Sequence, residues 1–201
     1  MASYPNAAEG GALSYVVDPA RSRFEIRAFA MGMLSAFGHN PTIIARGVTG
    51  EAWFRAEAPE TSSVRLAIDP DSLAIAGDVN DKDRREMEST MKEEVLETSR
   101  HREIRFESSG MRATKLADGM YRMQIAGKMT LHGVERTVEI PCTVVADENL
   151  LRANGEFSIR QTDYRIRPVS AAGGTIKLKD ELKFRFDLVA PRRKEGGDGG
   201  Q

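Results

Sequence analysis

Apolar and polar residues alternate along most of this chain with a period of two. Phe24, Ile26 and Ala28 are interleaved with Arg23, Glu25 and Arg27, and Val64, Leu66 and Ile68 with Ser63, Arg65 and Ala67. The same spacing recurs at Ile104 and Phe106, at Met123, Ile125, Met129 and Leu131, and at Val138, Ile140, Cys142 and Val144. It returns at Phe157 and Ile159, and at Leu182, Phe184, Phe186 and Leu188. Successive residues of a strand point to opposite faces, so each run has one apolar and one wetted face. Sheets wetted on one side are antiparallel, because parallel strands between helices read as unbroken apolar runs. Turn signals separate the runs at Asp69-Pro70-Asp71, Asp118-Gly119, His132-Gly133 and Gly173-Gly174. Strands at such regular spacing predict a barrel or a sandwich, and a closed barrel removes the exposed edges that so many strands would otherwise leave.

One stretch departs from this pattern. Between Asn80 and Glu97 there is no alternation, and Met87, Met91 and Val95 recur every fourth residue. Asn80 or Asp81 can cap a helix start, and Asp81 and Asp83 place negative charge where the helix dipole favours it. The spacing predicts one amphipathic helix near residues 80–97, laid across an end or a side of the barrel. Residues 1–12 and 192–201 have too little apolar content to order themselves, so they read as disordered segments flanking one domain over 13–191.

Several motifs, in order along the chain, resemble the YceI-like family. Ile68-Asp69-Pro70-Asp71-Ser72-Leu73 is similar to a segment that follows an early strand in that family, and Arg100-His101-Arg102-Glu103-Ile104-Arg105-Phe106 to its passage from helix to strand. Gly127-Lys128-Met129-Thr130-Leu131-His132-Gly133-Val134 resembles its hairpin, the most specific match. Phe157-Ser158-Ile159-Arg160-Gln161-Thr162-Asp163-Tyr164 resembles a later segment. The resemblance runs from about Ser14 to Pro191. It implies an eight-stranded antiparallel lipocalin-like barrel that holds a long apolar molecule, typically a polyisoprenoid, and it implies a homodimer. The chain has Arg21-Ser22 where the family often has His-Ser, and Gly38-His39-Asn40-Pro41 resembles a turn found in one subgroup.

Composition narrows the chemistry. With 29 basic and 30 acidic residues in 201, no field for nucleic acid is expected. A single cysteine, Cys142, excludes an internal disulfide and a cysteine-cluster metal site. The start lacks a basic segment followed by an apolar one, so the chain as written is expected in the cytoplasm. No serine sits in a nucleophile elbow and no glycine-rich phosphate loop opens a helix. The expectation is a binding protein and not an enzyme, with no cofactor.

The three histidines, His39, His101 and His132, have no short spacing, so no metal site is expected. His39 belongs to a turn before Asn40-Pro41; it either contacts a ligand head group at the barrel mouth or bonds backbone. His132 reads as a turn residue on the polar side and His101 as solvated. Arg160, Arg165 and Arg167 flank Tyr164 and read either as partners of an anionic head group or as a wetted face. The candidate ligand-binding residues are His39 and the inward-phase Phe24, Ile26, Phe106, Met123, Ile125, Met129, Phe157, Ile159, Phe184 and Phe186. Aromatic and thioether walls suit a ligand without fixed conformation, such as a polyisoprenoid, a quinone or a fatty-acid-like lipid. The alternative is a barrel whose side chains fill the interior, acting as a homodimeric structural or interaction protein.

Overall fold

The alternating runs fold as strands of one antiparallel sheet. In a computed structural model, which describes residues 11–31, 41–171 and 176–194, twelve strands follow one another along the chain. They are β1 (Leu13–Val16), β2 (Arg23–Met31), β3 (Thr42–Ala45), β4 (Val48–Phe54), β5 (Ser63–Ile68) and β6 (Leu73–Ala76). The remainder are β7 (Ile104–Ala117), β8 (Met120–Leu131), β9 (Val134–Ala146), β10 (Leu150–Arg160), β11 (Ser170–Ala171) and β12 (Ile176–Pro191).

Twelve segments and an expected eight are reconciled by where the chain breaks. β1 pairs β4 while β2 pairs β3, so β1–β2 run as one line beside β4–β3. β4 pairs β5 while β3 pairs β6, which makes β5–β6 a third line. β7, β8, β9, β10 and β12 supply five more lines, eight in all, with the short β11 attached to the start of β12. β2 pairs β12, and the ring closes. Beyond the reach of β2, β1 takes over that edge: Asp18 N–H donates to Val189 O, Arg193 N–H to Ser14 O, and Tyr15 bridges Arg192. Pairing therefore continues through Arg193; residues 1–10 and 195–201 lie outside the described residues, as does the Gly173-Gly174 turn.

The breaks are bends that let a sheet close on itself. Gly47, between β3 and β4, donates its N–H to Ser72 Oγ at 2.9 Å and accepts the Asp69 N–H at 3.2 Å. Asp69 in turn accepts the Asp71 N–H, so the Asp-Pro-Asp turn holds two kinked lines in step. Ser22 ends the first bend, where its hydroxyl accepts the Val189 N–H at 3.0 Å. In β7 a bulge between Ser108 and Gly110 shifts the register. It brings Met111 inward although its parity is opposite to that of Phe106, which strict alternation misses.

The predicted helix is present. Asn80 caps it by accepting the Asp83 N–H, α1 spans Asp81–Thr90, and a π-helical turn continues it over Met91–Val95. α1 also has an edge to cover. Among the described residues β6 is paired on one side only; on the other, Glu88 Oε1 accepts the Ile75 N–H at 2.8 Å and the Arg84 guanidinium donates to Ile75 O. Arg84 also reaches the carbonyls of Gly77 and Val79 at 3.0 Å. Side chains of the helix thus stand in for a missing strand, which an unpaired edge requires. The sheet is parted beside β6, and the helix lies over the gap.

Candidate functional site

The barrel interior is not filled. Its far end is plugged by Tyr15, Phe54 and Tyr121, all buried. The rings of Phe54 and Tyr121 meet edge to face at 5.3 Å, and the Tyr121 hydroxyl donates to Ala56 O at 3.1 Å. Above this plug lies a small chamber of about 100 Å³, and beyond it, under the helix, a larger one of about 640 Å³. Phe24, Ile68, Ile104 and Met129 line both, so the two chambers adjoin.

Four phenylalanines from three strands build the wall where they meet. Phe157 and Phe184 stack at 4.9 Å, Phe24 stacks on Phe186 at 6.3 Å, and Phe24 meets Phe184 edge to face at 6.0 Å. Cross-strand register places them together: Phe157 is opposite Phe184 in β10 and β12, and Phe24 is opposite Phe186 in β2 and β12. Aromatic pairs of this geometry stabilise by about 0.5–1.5 kcal/mol beyond the area they bury.

The sequence-derived residues divide between the chambers. Phe106, Met123, Ile125, Phe157 and Phe186 line the small one, Ile26 and Phe184 the large one, and Phe24 and Met129 both. Ile159 is buried in the wall and lines neither. His39 lies outside the described residues. Arg160, Arg165 and Arg167 are exposed, while Tyr164 between them is buried, so this row is a wetted face and not a wall of either chamber.

Most of the large chamber was not anticipated. Ile43, Leu73, Ile75, Leu131, Ile166, Leu178 and Leu182 line it, together with Met87, Met91, Val95 and Leu96 from the helix. The four-residue spacing of Met87, Met91 and Val95 does identify an apolar helical face. What it does not reveal is that this face looks onto a void rather than a packed core. Asp83, Glu86 and Glu94, exposed on the helix, give the chamber a polar fringe, with Thr90, Gln161 and Ser170 as its uncharged members. Pocket volumes of about 300–1,000 Å³ with apolar walls and few polar groups are those of small-molecule sites.

Cys142, inward as its parity required, lines the small chamber. Burial pushes its thiol up to about 12. At neutral pH it is protonated and packs as a small apolar side chain.

The structure corrects the reading of two histidines. His101 is not freely solvated and His132 is not on an open polar face: their rings meet at 4.5 Å, beside Glu97. The two lie 31 positions apart in sequence, and only the fold brings the helix exit against the β8–β9 turn. Among the described residues, no helix is long and apolar enough to cross a membrane.

A search of curated proteins finds no match. Among solved structures, the chain is similar to BcnA of Burkholderia cenocepacia, with a TM-score of 0.64 at 19% identity over 86% of this chain and 98% of that one. It is also similar to a polyisoprenoid binding domain from Saccharophagus degradans implicated in plant cell wall breakdown, with a TM-score of 0.63 at 13% identity, covering 90% of this chain and 99% of that one. The YCEI protein of Campylobacter jejuni gives a TM-score of 0.57 at 12% identity over 76% of this chain and 85% of that one. At such identities these likenesses speak for the fold. The family model of the YceI-like domain matches residues 15–190, and on that match, which spans the closed barrel from β1 to β12, the chain belongs to the YceI-like family.

Proposed function

We propose that this protein is a non-catalytic binding protein that holds one long apolar or amphiphilic molecule, of the polyisoprenoid, quinone or fatty-acid-like class, inside the barrel. The observation that carries this reading is the chamber of about 640 Å³ with apolar walls beneath the helix. A packed interior leaves few voids larger than a water molecule, so an empty space of this size weakens the filled-core alternative. The ligand's tail extends toward the phenylalanine wall and into the small chamber, and a polar head group stays at the fringe on α1. The polyisoprenoid binding domain among the similar structures supports the ligand class.

Burial of each methylene is worth about 0.8 kcal/mol, or roughly a fourfold gain in affinity. A series of prenyl alcohols and fatty acids of increasing length should therefore bind with stepwise rising affinity, then level off once the chambers are full. The measurement is displacement of a fluorescent fatty acid, combined with organic extraction of the purified protein. Affinity indifferent to chain length, with no extractable lipid, would overturn the proposal.

A homodimer is part of the same proposal. Leu116, Met120 and Val145 are exposed, and Met120 lies opposite Val145 at the end of the barrel that carries the β7–β8 turn. These side chains form the apolar patch on which a second copy would seat. Light scattering should give twice the chain mass, and Met120→Lys should halve it; a monomer at high concentration overturns this part alone.

A further inference from the structure

We propose that Glu97, His101 and His132 form a binding site for a divalent transition-metal ion of the zinc class. The ligand atoms of the three residues lie within 4.8 Å of one another. Glu97 Oε2 is 3.5 Å from His132 Nε2 and 3.8 Å from His101 Nε2. Zinc–nitrogen bonds of about 2.0–2.1 Å in a tetrahedron put neighbouring ligand atoms about 3.3 Å apart. With all three ligand atoms already within 4.8 Å of one another, side-chain shifts of at most about 1.5 Å would bring the two imidazoles and the carboxylate onto one ion, with a fourth position left to solvent.

The hydrogen bonding of His132 points the same way. Its Nδ1 lies 3.2 Å from Tyr164 O. A carbonyl only accepts, so Nδ1–H donates there. In the neutral ring the opposite nitrogen, Nε2, then carries a lone pair. That nitrogen is buried and has no hydrogen-bond partner among the described residues, while it faces a carboxylate oxygen. This lone pair and the Glu97 carboxylate, whose Oε2 also lies 3.6 Å from Arg100 Nη1 in an exposed ion pair, face each other across a gap that a metal ion would fill. A backbone carbonyl that fixes the ring and its tautomer is the usual outer support of a metal-binding histidine.

The backbone around the site is unusual in the same sense. Glu97 and His132 have φ of 46° and 50°, and the third positive-φ residue other than glycine among the described residues, Arg165, directly follows the Tyr164 carbonyl. Left-handed backbone at non-glycine residues is uncommon, and it persists where the surroundings hold it in place. The Glu97 carbonyl accepts the His101 N–H at 3.0 Å, which closes a turn and sets Glu97 and His101 on one side of it. Gly133 leaves room for the second ring: a Cβ there would stand 2.8 Å from His101 Cε1.

The site also has a structural consequence. Leu96 and Leu131, the chain neighbours of two ligands, line the large chamber, as does Gln161. A bound ion would fasten the helix exit to the β8–β9 turn at the chamber wall.

Full-length protein stripped with a chelator and titrated with Zn²⁺ by calorimetry, and with Co²⁺ by visible absorption, should take up one ion per chain. The Co²⁺ adduct should show the d–d bands of a low-coordinate nitrogen and oxygen site. His101→Ala and Glu97→Gln should each weaken binding at least about 10-fold, with circular dichroism unchanged. Because the ligands lie outside the chambers, fatty-acid displacement in metal-free protein reports on the lipid proposal separately. Wild-type protein that takes up neither ion saturably, or uptake unaltered in folded His101→Ala and Glu97→Gln, overturns the metal site and leaves a histidine–carboxylate pair in its place.

Discussion

Leu182→Trp is expected to abolish most ligand binding while leaving the barrel folded. Leu182 lines the large chamber, is partly exposed, and lies opposite Ala28 in the β12–β2 ladder. An indole projecting into about 640 Å³ of free space meets little resistance. It would displace about three methylenes of ligand, worth roughly 2.4 kcal/mol at ~0.8 kcal/mol each, or about 60-fold in affinity. Ile125→Trp supplies the contrast. Ile125 lines only the chamber of about 100 Å³, where the same bulk is confined far more tightly. That variant should lose on the order of 1–3 kcal/mol of stability through overpacking. Denaturant midpoints and fluorescent fatty-acid titration of both variants check the pair. If Leu182→Trp binds as wild type, the large chamber is not the ligand site; if both variants are equally destabilised, its volume is not free in solution.

The second large effect is expected at Gly127. In β8 this residue lies opposite Ser108, close to the bulge of β7. A Cβ there would come within 2.5 Å of the Phe106 ring and of the Glu107 carbonyl oxygen. Neither contact is tolerable, and Phe106 is a buried wall residue of the small chamber. Gly127→Ala should therefore cost about 1–3 kcal/mol, the usual scale of overpacking. Combined with Phe106→Leu, part of that cost should be recovered, because the ring gives way, while the backbone contact keeps the rest. Chemical denaturation of the four proteins of this double-mutant cycle measures the coupling. A cost of zero in Gly127→Ala would mean that β7 and β8 stand further apart than the cross-strand register requires.

Local chemistry in the sequence determined a good deal of this protein. The period of two assigned the inward side of the long strands, save for β7 beyond its bulge, because strand geometry alternates side chains whatever lies around them. That is why Phe24, Met129, Phe157 and Phe184 could be placed on an interior wall before any contact was known. Asn80 and the four-residue spacing from Met87 to Val95 located the helix for an equally local reason. The hairpin from Gly127 to Val134 and the other ordered motifs carried the family.

The tertiary structure decided what local periodicity does not encode. Alternation says which side chains face inward and is silent on whether they touch. The size of the interior is set by barrel closure, by the bends near Gly47 and Asp69, and by the gap beside β6 that the helix covers. For this reason the apolar face of α1 emerged as the roof of a chamber and not as packing. Met111 came inward because one bulge shifts a register. Glu97, His101 and His132 met because the helix exit and the β8–β9 turn end at the same rim. Proximity between residues far apart in a chain is a property of the closed barrel, and no spacing within the sequence expresses it.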